Sequence, residues 1–136
     1  MATYLGSSIN ESPTIVLRAG EKLENARGIA LAVNDGKAVK PAAGAHVIGL
    51  SVVETDDVVE AGAGVDVQVK DIGKWVAGEA VAVGVELATD ANGRAVSAKA
   101  GNFIVGVALS SASEEGTWVK VQICKAGYKP TESKEV

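Results

Sequence analysis

Gly28-Ile29-Ala30-Leu31-Ala32 returns 56 residues later as Gly84-Val85-Glu86-Leu87-Ala88. Gly36-Lys37-Ala38-Val39 returns as Gly93-Arg94-Ala95-Val96, 57 residues on. At the same distance, Ala43-Gly44-Ala45-His46-Val47-Ile48-Gly49-Leu50 is answered by Ala100-Gly101-Asn102-Phe103-Ile104-Val105-Gly106-Val107. Asp66-Val67-Gln68-Val69 and Lys120-Val121-Gln122-Ile123 close the two copies at an offset of 54. A near-constant offset through several landmarks marks two copies of one supersecondary unit that share a core. What repeats is apolar residues, glycines and turns, which are parts of a scaffold.

The copies read as β structure. Gly64-Val65-Asp66-Val67-Gln68-Val69-Lys70 alternates, with valines on one face and Asp66, Gln68 and Lys70 on the other. That period of two marks a strand with one buried face. Thr117-Trp118-Val119-Lys120-Val121-Gln122-Ile123 repeats it, with Val119, Val121 and Ile123 inward. Thr14-Ile15-Val16-Leu17 is a short strand, and His46 to Val53 a longer apolar one. Asp35-Gly36 between Ile29–Val33 and Lys37–Val39 predicts a hairpin, because both residues accept positive φ. Asn92-Gly93 takes the same place in the second copy. No helix-period stretch of useful length occurs; Ala95 to Gly101 is too short. The expected fold is all-β, a compact barrel or sandwich built from two pseudo-repeated units at about 28–69 and 84–123. The expected organisation is an extended N-terminal arm at 1–13, a β domain at 14–124 and a loose C-terminal tail at 125–136.

Composition narrows the function classes. A chain of 136 residues suffices for a core without metals or disulfides. Its formal charge of −4 argues against non-specific binding to nucleic acid or an anionic membrane. The single cysteine, Cys124, precludes an intrachain disulfide. Ending an apolar strand, it reads as a small buried hydrophobe. No basic start followed by an apolar core suggests a signal peptide, and the apolar run from Pro41 to Val53 is too short to span a bilayer. Synthesis in a cytoplasm is expected.

Chemistry is sparse. One histidine and one cysteine make no zinc cluster, and His46 in an apolar strand reads as an edge or half-buried imidazole. Glu54, Asp56, Asp57 and Glu60 lack the Asp/Asn-Gly grammar of a calcium loop. Glu114-Glu115 occupies the matching turn of the second copy and reads as solvated. No Gly-x-Ser-x-Gly elbow surrounds any serine. Gly62-Ala63-Gly64 has no third glycine and leads into a strand, so it cradles no dinucleotide. No catalytic residue, metal or cofactor is expected, and the protein is expected not to be an enzyme. Trp75, near a turn between the copies, and Trp118, opening the last strand, read as caps on the ends of the core. The alternative for both is a subunit or partner contact, where tryptophan is enriched. Tyr4, Leu5 and Ile9 are apolar residues on the arm, suited to ordering on a neighbour by strand addition.

Val67-Gln68-Val69-Lys70, Ala77-Gly78-Glu79-Ala80-Val81-Ala82-Val83-Gly84-Val85-Glu86-Leu87, Asp90-Ala91-Asn92-Gly93-Arg94-Ala95, Ile104-Val105-Gly106-Val107-Ala108-Leu109 and Val119-Lys120-Val121-Gln122-Ile123 resemble the capsid decoration, or cement, proteins of tailed bacteriophages. The family is the small Val/Ala/Gly-rich one at times given a phage recombinase label, for which this chain lacks the nucleotide loop. The likeness runs from about Gly28 to Ile123. It implies a compact β domain that forms a homotrimer on the outside of an expanded capsid, at three-fold and quasi-three-fold positions. It further implies that the arm contacts the major capsid protein, and that no catalytic residues are carried over. Tyr4, Leu5, Ile9, Trp75 and Trp118 are the candidate capsid or subunit contacts. The rival reading is a head-fibre-type β domain that binds host-surface carbohydrate through exposed aromatics, for which Trp75, Trp118, Tyr4 and Tyr128 are the candidates. A third is an accessory domain of an enzyme.

Overall fold

The computed structural model of the chain describes residues 12–53 and 57–131. Among these residues there is no helix, and every strand pairs antiparallel. The first copy contains β1 (Thr14–Arg18), β2 (Leu23–Glu24), β3 (Ala30–Asn34), β4 (Lys37–Val39), β5 (Gly49–Val52), β6 (Val58–Val59) and β7 (Gly64–Gln68). The second contains β8 (Asp71–Val76), β9 (Glu86–Thr89), β10 (Ala95–Ser97), β11 (Phe103–Ala108) and β12 (Trp118–Tyr128). The first sheet runs β1-β7-β5-β3-β4, and the second, read from its far edge, runs β8-β12-β11-β9-β10. The two orders are the same.

The repeat therefore reaches further than 28–69 and 84–123. β1 and β8 are counterparts, and Ala19-Gly20-Glu21 corresponds to Ala77-Gly78-Glu79. Gly20 N donates to Ala38 O at 2.8 Å, and Gly78 N to Ala95 O at 2.7 Å. Glu21 Oε2 accepts from Lys40 N at 2.9 Å, and Glu79 Oε2 accepts from Ser97 N at 2.9 Å. The small β2–β6 sheet has its counterpart in a single bridge between Val81 and Ala112. In each copy the edges of the five-stranded sheet meet at one parallel bridge, Ala19 with Ala38 and Ala77 with Ala95. One bridge does not close a ladder, so the arrangement is sandwich-like rather than a barrel.

Each copy fills its own interior. Leu23, Ile29, Leu31, Val65 and Val67 pack in the first. Trp75, Leu87, Val105, Val119 and Val121 pack in the second, where Ala30, Val47 and Leu50 of the first copy join them. Val65 and Val67, and Val119, Val121 and Ile123, all point inward as the alternation requires. That same alternation turns Cys124 outward, and it is exposed rather than buried.

The turns follow local chemistry. Asp35 and Gly36 both have positive φ, 55° and 76°, and join β3 to β4 as a two-residue turn. Asn92-Gly93 does not copy this. The β9–β10 loop runs from Asp90 to Arg94, only Gly93 has positive φ, and Asp90 Oδ1 accepts from Asn92 N and Arg94 N. An Asx turn thus replaces the tight pair. Two further expectations change. The stretch from His46 is strand only from Gly49 to Val52. Residues 125–128, expected in the tail, continue β12 and pair through Gly127 and Tyr128 with Ile104 and Phe103.

Ser51 is one of two buried polar residues among the described residues. Its Oγ accepts from Ile29 N at 3.0 Å and donates to Ala26 O. Ser51→Ala strips both backbone groups of their side-chain partner at a buried position. We expect a loss of about 1–3 kcal/mol, read as a lower urea midpoint at unchanged slope. A midpoint equal to that of the wild type would mean that the two groups find other partners.

Candidate interaction face

The structure separates the residues singled out by sequence. Tyr4, Leu5 and Ile9 lie outside the described residues. Trp75 is fully buried, so it is not a surface contact and cannot stack on a sugar. It points inward from β8, and its Nε1 donates to Gly93 O at 2.7 Å, which satisfies the one polar atom it carries into the core. Trp118 points outward from β12 and is 44% exposed. Its ring lies against Gly28 of the first copy, where a Cβ would collide with it and where φ is +63°. Val76 N donates to Gly28 O at 2.9 Å beside it. Trp118 is thus a half-exposed aromatic held against rigid backbone.

His46 is exposed and meets the edge of Phe103 at 4.6 Å, and Phe103 meets Tyr128 at 5.4 Å. This short aromatic stack joins the two copies at a second place. Nearby, Lys125 Nζ donates to Ile48 O at 3.0 Å, and partial burial lowers the lysine's pKa. Among the described residues, no group of three or more His, Cys, Asp or Glu comes together. Glu54 and Asp56 lie outside the described residues, while Asp57 Oδ1 accepts from Arg27 N at 3.1 Å. Among the described residues no helix is long and apolar enough to cross a membrane.

What sequence reasoning missed is the face around Trp118. β8 pairs with β12 in the register Val76↔Trp118, Lys74↔Lys120 and Ile72↔Gln122. All six side chains lie on the outer side of the second sheet, since the alternate residues Gly73, Trp75, Val119 and Val121 are buried. Alongside runs an open cleft of about 720 Å³ between the two copies, bordered by Ile72, Lys74, Trp118 and Lys120 on one side and by Val52 and Val53 on the other. Gln68 closes the free edge of β8, with Nε2 donating to Lys70 O at 3.0 Å and Ile72 O at 2.9 Å. Such side-chain bonding occupies part of the strand's edge that would otherwise offer a free carbonyl for strand addition.

Comparisons with known proteins agree with the architecture. A solved structure similar to this chain is that of the head fibre gp8.5 N base of bacteriophage phi29, with a TM-score of 0.62 at 21% identity. The likeness covers 85% of this chain and 97% of that one, and at this identity it speaks for the fold. No curated protein matches the sequence. The phage cement protein family matches over residues 14–123, which takes in both copies and leaves 13 residues at each end. Since the matched span is the duplicated scaffold itself, from the first residue of β1 to within β12, the chain belongs to the phage cement protein family.

Proposed function

We propose that this virion structural protein is a non-enzymatic decoration protein that binds the outer surface of the expanded phage capsid as a homotrimer, contacts the major capsid protein and stabilises the shell. The observation that carries the reading is the family match across the whole duplicated scaffold. The exposed aromatic and aliphatic groups beside the inter-copy cleft supply a surface suited to partner contact. A protein that binds the expanded shell and not its dissociated subunits stabilises that shell by mass action. Trimeric attachment multiplies weak contacts, adding on the order of 10²–10⁴ in avidity where geometry allows simultaneous engagement.

The test is co-sedimentation of purified protein with expanded, undecorated capsids of the parent phage, with unexpanded procapsids as control. Saturable binding to the expanded shell alone is the expected result. Binding to neither shell overturns the reading, and a glycan array then tests the host-surface alternative.

The arm is tested in the same assay. Pro13 O accepts from Val69 N at 2.8 Å, so truncation should stop before it. Removing residues 1–11 is expected to leave the β domain folded and to weaken capsid binding by about tenfold or more. Undiminished binding by the truncated protein would take the arm out of the mechanism.

A further inference from the structure

Resting on the capsid-binding reading above, we propose that the outer face of β8 and β12 is the docking surface for an acidic segment of the capsid partner. Its carboxylates would sit between Lys74 and Lys120, and its apolar side chains against Trp118 and Ile72.

Four observations support this. Lys74 and Lys120 are directly opposed across an antiparallel pair and share one face. Like charges so placed repel at close range. Among the described residues the ion pairs are Lys22–Glu24 and Lys129–Glu86, and neither involves these two lysines. The fold does not demand the arrangement, because the equivalent pair in the first copy is Val16 opposite Asp66. The same scaffold position thus holds two cations in one copy and one apolar residue with one anion in the other. The chain as a whole is acidic, with 17 Asp and Glu against 13 Lys and Arg, so an uncompensated pair of lysines runs against the overall balance.

The flanking residues say what else the partner brings. Trp118 lies on one side of the lysines and Ile72, 52% exposed, on the other. Trp118 is already seated on Gly28, so little side-chain freedom remains to be lost on binding. A rigid exposed tryptophan beside a cleft is the usual anchor of an interface. The lysines add orientation and on-rate, because opposite potentials steer encounter. An acidic segment carrying apolar residues satisfies both features, whereas a purely acidic or purely apolar one satisfies half.

Lys120→Glu separates docking from folding. It places a carboxylate opposite Lys74, so the sheet loses a repulsion and gains a pair, and the melting temperature should hold or rise. Binding to expanded capsids should fall by about tenfold or more. Wild-type binding should weaken with added salt, and the variant's should do so far less. Trp118→Ala should also weaken binding, and Lys120→Gln, which only removes charge, should fall between wild type and Lys120→Glu. Wild-type affinity in Lys120→Glu overturns the proposal while leaving capsid binding intact. Failure of the wild type to bind any capsid overturns the capsid reading and this proposal together. Tighter retention of the wild type by DNA than by capsids overturns the acidic protein segment as occupant.

Discussion

Trp75→Ala is expected to lose about 3–5 kcal/mol, a large part of the stability of a domain this size. Trp75 is the largest fully buried side chain and sits in the second core among Leu87, Val105, Val119 and Val121. Truncation removes its apolar contacts and leaves a cavity that flanking strands, tied on both sides by hydrogen bonds, fill only partly. The indole also fixes a junction. Gly93 O accepts both from Trp75 Nε1 and from Ala30 N, each at 2.7 Å, so one carbonyl links β8, the β9–β10 loop and β3. Trp75→Phe keeps most of the volume, and Gly93 O keeps Ala30 N, so about 1–2 kcal/mol is expected there. Urea titration followed by circular dichroism reads both. A loss below about 1 kcal/mol in the alanine variant would mean that the core collapses around the gap.

Gly106→Val is expected to abolish soluble folded protein or to cost at least about 3 kcal/mol. Gly106 sits in β11 between Leu87 of β9 and Ile123 of β12. A Cβ there would run into Gln122 O, a backbone atom held within the ladder, and into Val121. Gly49 in β5 meets the same obstacle at Gln68 O and Val67. Neither glycine is needed for a positive φ. Each is needed for close approach of two backbones, which is why a glycine stands inside a strand at both places. Gly64→Ala is the control: its new Cβ would meet only Val16 Cγ1, at 3.4 Å. Thermal melts should separate the two by about ten degrees or more, since about 1 kcal/mol moves a domain of this size by several degrees. Equal melts would contradict the assigned register.

Much of the fold was legible because the strands that build the cores announce themselves. The valines of β7 and β12 alternate cleanly, and Asp35-Gly36 admits few conformations besides a tight turn. β8 was not legible. Its inward residues are Gly73 and Trp75, while Ile72 and Val76 lie on the outer side. A glycine leaves no apolar mark, and apolar residues outside invert the expected pattern. The match of Ala19-Gly20-Glu21 with Ala77-Gly78-Glu79 was the signal that could have placed β8 opposite β1. Missing that strand hid the Lys74–Lys120 pair, since two lysines 46 residues apart become neighbours only through β8–β12 pairing. Trp75 and Trp118 looked alike as isolated aromatics, and only strand parity tells the buried one from the exposed one.

Ala30, Val47 and Leu50 belong by sequence to the first copy and by contact to the second core. The consequence lies in cooperativity. If each copy kept strictly to its own interior, the halves could open separately, each at a fraction of the global free energy. With these residues crossing over, parting the halves strips the second core as well as the junction. Amide protons in β5 and β11 should then exchange only through whole-domain unfolding, with no cheaper sub-global opening between them. Under the proposed capsid-bound role, the absence of such an intermediate is an advantage, because proteolysis tracks the population of opened chains.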